Sequence, residues 1–369
     1  MPSIEEYEAA GLFDPVDCEG TGRLELLEWL TEQGFSIDDM VEGLHGLSLG
    51  SLAGDRRMVP GERLSRTEAA ELAGMDVSDF DVHVAALGFL PIDGSPPGEV
   101  GVTPDEAATI GILAGLSAFF SAEEALAVVR VIGTSMSRIA EASVSLFLAD
   151  VESPHLHSGA SELDLARKVD EGVGLLDGLV ERLDPVLRRL MLQSVRTSRV
   201  ATIDSRERFN FRFAVGFVDL VGFTAISGRM APQELASFIR DFEGRAHDVV
   251  TSAGARLVKL IGDEVMFVAA DAAAACRAAN GLMSGFGDDG ARVVPRGGLA
   301  YGDVLVRGGD YYGSIVNLAS RLVDEAVPQE LLVTEDAAVA AAGCDFEPAG
   351  RRMVKGFDDP ITVRSFVAG

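Results

Sequence analysis

Cysteine and cationic side chains are scarce in this sequence, and each shortage closes off a class of protein. Only three cysteines occur in 369 residues, Cys18, Cys276 and Cys344, far apart and without metal-ligand spacing. That excludes a disulfide framework and points to a reducing compartment. Lys and Arg number 31 against 58 Asp and Glu, a formal net charge of −27. A binder of the phosphate backbone needs a basic surface, so no general nucleic-acid binding is expected. The start of the chain, MPSIEEYEAAG, is acidic and has no basic segment followed by an apolar run, so no secretory signal is read there. The most apolar window, ATIGILAGLSAFF (108–120), falls short of the ~20 residues that span a bilayer. No transmembrane segment is expected, and the chain reads as a soluble, cytoplasmic protein. A small anionic substrate stays open, provided that local Lys, Arg or divalent cations hold it.

Apolar residues are abundant, at 47% of the chain, enough for the cores of two or three domains. Two halves with different patterns follow. Residues 1–190 read as an all-helical domain without strand alternation. Helix starts are marked by Ser65 with Glu68, by Thr103 with Pro104 and Glu106, and by Ser121 with Glu124. Residues 191–210 form a connection that extends the preceding helix and carries Arg196, Arg199, Arg206 and Arg208; Pro185 should kink or divide that helix. In residues 211–369 strands and helices alternate, which predicts an α/β sandwich on a mixed sheet and an α+β chain as a whole.

The stretch RLVKLIGDEVMFVAA (256–270) reads as two strands about a turn at Gly262–Asp263, yet it carries Lys259, Asp263 and Glu264. Unpaired charge is expensive to bury, so these residues either face solvent or serve a purpose. Asp219 interrupts another apolar strand, AVGFVDLVGFT. Two carboxylates at strand ends suit two Mg²⁺ or Mn²⁺ ions, although either alone fits a turn better than a metal site. In GGDYYGSIVNLASRLVDEA (308–326), Asn317 and Arg321 are four apart and share one helical face. An Arg so placed can meet phosphate oxygens in a planar, bidentate manner, or can simply be solvated.

Taken together, FVDLVGFT, KLIGDEVMF and DYYGSIVNLASRL resemble, in order and separation, the three signature regions of the class III nucleotidyl cyclases. The resemblance covers about 205–369 and implies a ferredoxin-like catalytic domain. It implies Asp219 and Asp263 as metal ligands, with the backbone carbonyl of Leu220 as a further one. Lys259 and Asp310 would read adenine, Asn317 would orient the ribose, Arg321 would stabilise charge on the α-phosphate, and Lys355 would bind the triphosphate. All seven side chains are of the family's types, which implies an active adenylyl cyclase that converts ATP to 3′,5′-cyclic AMP and pyrophosphate. In the family the site lies between two catalytic domains, so one such domain per chain implies a homodimer. Glu264 has no assigned family role and is read as solvent-facing or structural.

Residues 1–190 resemble the helical regulatory domain that precedes actinobacterial cyclases, some of them acid-activated. Of the five histidines, His45, His83, His155 and His157 lie in this half. Imidazole changes charge between pH 5 and 8, so they suit a pH switch, although each equally suits an ordinary surface or core position. GILAGLSAFF would suit a pocket for a lipid-like effector but is equally good core. LSRTEAAELAGMDVSDFDVHVAALGF (64–89) has the cadence of a DNA-reading helix-turn-helix, but its five acids speak against that use. Two alternatives stand beside the cyclase. A diguanylate cyclase is suggested by IGDEV, similar to that family's GGDEF turn, but it leaves Lys259, Asp310, Asn317 and Arg321 unexplained. The other is a catalytically silent, nucleotide-binding signalling regulator.

Overall fold

The computed structural model describes residues 1–16, 21–46, 48–61, 63–89, 101–154, 159–180, 182–201, 210–285 and 293–367. The chain forms two compact units, Met1–Leu187 and Arg188–Gly369. Cys18, His155, His157, Arg206 and Arg208 lie outside the described residues.

The first unit is helical: α1 (Ile4–Ala9), α2 (Arg23–Glu32), α3 (Ile37–Gly46), α4 (Leu52–Met58), α5 (Arg66–Ala73), α6 (Val77–Leu87), α7 (Pro104–Ala114), α8 (Ala122–Phe147) and α9 (Glu162–Val180). Among its described residues the extended pairing is a single bridge, Leu64 with Val102. Ser65 and Thr103 cap α5 and α7 in reciprocal boxes with Glu68 and Glu106, and the Ser121 hydroxyl accepts from the Glu124 N–H. Such caps satisfy N–H groups that the first helical turn leaves orphaned. Two separate cores result, one around Leu26, Leu30 and Met40, the other around Phe80, Val84 and Ile110. The pair α5–α6 packs into the second core about a turn at Gly74. Next comes α10 (Leu183–Ala201), with Pro185 in its first turn. The preceding helix ends at Val180, so the proline divides the two helices.

The second unit continues with β1 (Asn210–Val221), α11 (Phe223–Ser227), α12 (Pro232–Ser252), β2 (Arg256–Ile261), β3 (Glu264–Ala269), α13 (Ala272–Gly285), β4 (Val294–Arg307), β5 (Asp310–Tyr312), α14 (Ser314–Glu325), β6 (Leu331–Thr334), α15 (Glu335–Ala340), β7 (Phe346–Arg352) and β8 (Ile361–Phe366). The sheet order is β2-β3-β1-β4-β6-β8-β7, with β5 paired to β4. Every ladder is antiparallel except β4–β6. The segment β4-β1-β3-β2, with α12 and α13 as its crossovers, is the ferredoxin-like core. Helices cover both faces. Even-numbered β1 residues (Ala214, Val218, Leu220) enter the core with α12, α13 and α15, whereas Phe213, Val215 and Phe217 enter the core under α14. The helix α14 lies close to β4 because Gly298 has no side chain; a Cβ there would stand 2.3 Å from the Ala319 carbonyl oxygen.

Candidate active site

Strand alternation decides where the charged residues go. Asp219 follows Phe213, Val215 and Phe217 on the α14 face of the sheet. It sits directly opposite Glu264 on one side and Arg296 on the other, so the three side chains form a row across β3, β1 and β4. Arg296 donates from Nε and Nη2 to Asp219 Oδ2, both at 3.1 Å. Asp263 reaches the same row from the β2–β3 turn. Gly262 supplies the positive φ of 66° that this two-residue hairpin needs. Burial raises the Asp263 carboxyl above its usual range, and the charge of Asp219, in hydrogen-bond contact with it, raises it further. Glu264 is pushed up to about 7, first by burial and then by the charges of Asp219, Asp324 and Asp263. The solvent-facing reading of Glu264 is therefore corrected: it is half-buried in a nest of carboxylates, because its register opposite Asp219 turns it inward.

These residues suit a hard divalent cation. Two carboxylates are drawn into contact, with Arg296 as the nearby counter-charge. Among the described residues no group of three or more His, Cys, Asp or Glu side chains is arranged to hold a metal. Further ligands would thus be backbone, water or substrate oxygens, the usual pattern for Mg²⁺. The backbone of Leu220 is well directed for that. Pro295 and Gly297 bond toward β6, so their antiparallel partners on β1 alternate, and the Leu220 carbonyl is turned from β4 toward the Asp263 turn. The β1–β3 ladder has already ended, at Asp219–Glu264.

A second cluster lies on the same face. Lys259 Nζ donates to Asp310 Oδ2 at 2.5 Å, and the Tyr311 N–H donates to Asp310 Oδ1 at 2.8 Å. Burial alone would raise the Asp310 carboxyl, but Lys259, the Tyr311 N–H and the charge of Arg256 together hold it below the usual range. Both partners remain partly exposed, at 37% for Lys259 and 28% for Asp310, so a planar ligand can approach the pair.

Asn317 and Arg321 share the exposed face of α14, opposite the buried Leu318, Ala319, Leu322 and Val323. Arg321 Nη1 lies 3.4 Å from Asp324 Oδ2, a surface pair of little strength. The Asn317 side chain makes no hydrogen bond among the described residues. Lys355 is exposed in the turn between β7 and β8 and forms no ion pair there. The structure thus brings Asp219 and Asp263 together, and Lys259 and Asp310 together, on one face, while Asn317, Arg321 and Lys355 contact none of these four. Arg296, Arg256 and Tyr311 carry no sequence signal for this site, and register, rather than residue type, places them and Glu264 there.

In the helical unit His45 is exposed and His83 half-buried, each bonded through Nδ1 to a carbonyl of its own helix, Val41 or Asp79. The GILAGLSAFF segment (111–120) has no fully buried residue, and Ile112 and Phe119 are exposed at 75% and 86%. No described helix is long and apolar enough to cross a membrane.

Comparison with known proteins is consistent across both units. Residues 5–198 match the family model described as adenylate cyclase regulatory domain. An uncharacterized protein of Mycobacterium tuberculosis is 31% identical over 362 residues, covering 97% of this chain and 92% of that protein. An adenylate cyclase of Streptomyces coelicolor is 34% identical over 318 residues, 83% of this chain and 79% of its own length. A pH-sensitive adenylate cyclase of M. tuberculosis is 29% identical over 373 residues, covering 96% of this chain and 91% of that protein.

Proposed function

The chain belongs to the adenylate cyclase family, with the family's regulatory domain in its N-terminal half, and from this premise we propose that it converts ATP to 3′,5′-cyclic AMP and pyrophosphate. One observation carries the reading: a Lys–carboxylate pair at 2.5 Å lies on the same sheet face as two carboxylates in contact. The first pair matches the edge of adenine, because Lys259 donates to a ring nitrogen and Asp310 accepts from the exocyclic amine. Guanine presents the opposite polarity, so the pair selects ATP over GTP.

Asp219 and Asp263, with the Leu220 carbonyl, would hold two Mg²⁺ or Mn²⁺ ions. Cations held there supply Lewis-acid activation of the ribose 3′-hydroxyl and neutralise triphosphate charge. The protein's own contribution is position and charge. Arg296, beside Asp219, offers a guanidinium to phosphate oxygens. Asn317 orients the ribose and Arg321 meets the charge that develops on the α-phosphate. Lys355 binds the triphosphate. The attacking hydroxyl displaces pyrophosphate in line, and no covalent enzyme intermediate is required.

Asn317 and Arg321 are exposed and engage neither cluster of their own chain, which supports their use by a second copy. We read the active form as a homodimer in which one copy gives the acids and Lys259, and the other gives Asn317 and Arg321. Large apolar side chains exposed along α8 and α10, among them Val144, Leu146, Leu190 and Met191, favour such pairing. The helical unit would restrain or release this dimer in response to pH or a lipid-like effector. Activity of the full chain measured against pH, with and without fatty acid, tests that control; a flat response to both would exclude it.

Incubation with ATP or with GTP, each with Mn²⁺, followed by mass analysis, tests the reaction itself. Equal yields of cyclic AMP and pyrophosphate are expected. Binding without turnover would make the chain a silent regulator, and a cyclic dinucleotide from GTP would make it a diguanylate cyclase.

A further inference from the structure

Two basic residues of β2 serve one carboxylate, and a backbone irregularity makes that possible. Residues three apart on a regular strand face opposite sides of the sheet. In β2, Arg256 pairs with Val268 and Lys259 with Met266, and the register shifts between Leu257 and Lys259. Val268 and Met266 both belong to the core under α14. The bulge therefore puts Arg256 and Lys259 on one face, the kind of re-aiming that bulges perform beside active sites.

Arg256 is directed at the residue after Asp310. Its Nη1 stands 3.5 Å from Tyr311 Oη, and its guanidinium carbon is 5.9 Å from the Tyr311 ring centroid. Tyr311 is buried and set edge-on to Phe213, with ring centroids 5.4 Å apart. The N–H of Tyr311 holds Asp310 Oδ1. Phe213 and Arg256 thus hold the Tyr311 side chain, and the Tyr311 N–H holds the Asp310 carboxylate.

A bound base makes this backing necessary. Lys259 gives Asp310 a hydrogen bond and its nearest positive charge in the free protein. If it turns to donate to the base, the carboxylate loses its nearest cation and a donor that fixed its direction. Arg256 has no such second task. We propose that Arg256, acting through Tyr311, is a positioning residue that keeps Asp310 aimed at the nucleotide base when Lys259 is shared with it. This role rests on the cyclase reading above.

The test is binding by the full-length chain, with Mn²⁺ present, of 3′-deoxy-ATP and 3′-deoxy-GTP, which cannot cyclise. Wild type should prefer the adenine analogue. Arg256→Gln should lose about tenfold of that preference, the value of one charge-assisted hydrogen bond. Tyr311→Phe should lose part of it, and Arg256→Lys should restore most of it. Thermal melting shows whether each variant is folded. Three results would overturn the role: an unchanged preference in Arg256→Gln, an equal weakening for both analogues, or the same loss in Arg307→Gln. The last matters because Arg307 lies opposite Asp310 in the β4–β5 ladder. A wild type that prefers neither analogue would overturn the cyclase reading together with this role.

Discussion

Replacing Gly298 by alanine should damage catalysis without touching a single charged residue. The new Cβ would lie 2.3 Å from the Ala319 carbonyl oxygen, 2.8 Å from Leu322 Cβ and 2.9 Å from the Val323 nitrogen. Two of these three atoms are backbone of α14, so no side-chain rotation relieves the clash. Restoring an ordinary contact of about 3.4 Å from 2.3 Å means moving the helix outward by about 1 Å. Overpacking of this kind costs about 1–3 kcal/mol, or roughly 2–12 °C in Tm for a domain of this size. The same movement carries Asn317 and Arg321 with it. A 1 Å misplacement of positioning groups costs on the order of 10²-fold in rate. Gly302 is the internal control: its Cβ would meet only the Ile315 side chain, at 2.7 Å, which can turn away. Melting curves and steady-state kinetics on the two variants decide the matter. Gly298→Ala should lose most of kcat while ATP still binds, and Gly302→Ala should lose much less. Wild-type Tm and kcat in Gly298→Ala would refute the argument that α14 is seated by this glycine.

Asp263→Ala should lower turnover by about 10²-fold or more, since the cations would lose a ligand. Mn²⁺ should raise the Tm of wild type but not of this variant, as differential scanning fluorimetry would show. The lowered Asp310 carboxyl predicts a stability term with a definite sign. It is fully present above the ordinary value of 3.8 and is lost as pH falls through the lower folded value, so Asp310→Asn should flatten the acid limb of Tm against pH below about 4. Cys276 is fully buried and its thiol is pushed up, chiefly by burial, while Cys344 is partly exposed. Iodoacetamide at pH 8 should therefore label Cys344 in the folded chain and Cys276 only after denaturation, as peptide mapping would reveal.

Much of the catalytic half can be read from the chain itself, because its signals are local. The hairpin about Gly262–Asp263 and the packed face of α14 both follow from period and turn chemistry. What stayed hidden depends on register. Glu264 and Arg296 meet Asp219 only because β3, β1 and β4 align in one row, and no spacing along the chain reveals that alignment. The bulge in β2 is hidden for the same reason. The strands β5 and β7 carry little signal of their own along the chain. β5 has three residues, and β7 (FEPAGRR) is an edge strand with a bulge and no alternation. The segment ELLVTEDAAVAAAG carries a strand, β6, but also a short helix that begins at Glu335 under a Thr334 cap. In the helical half the caps are legible, while the histidines carry no pattern that sets a sensor apart from a surface residue.

Complementation between two inactive variants bears most directly on the shared site. One carries Asp219→Ala with Asp263→Ala, the other Asn317→Ala with Arg321→Ala. Each should be silent alone. Mixed in equal amounts and allowed to exchange subunits, they should recover about a quarter of wild-type cyclic AMP formation, because half of the dimers would hold one intact site of two. No recovery despite verified exchange would contradict a site built from two copies, as would full activity of either variant by itself.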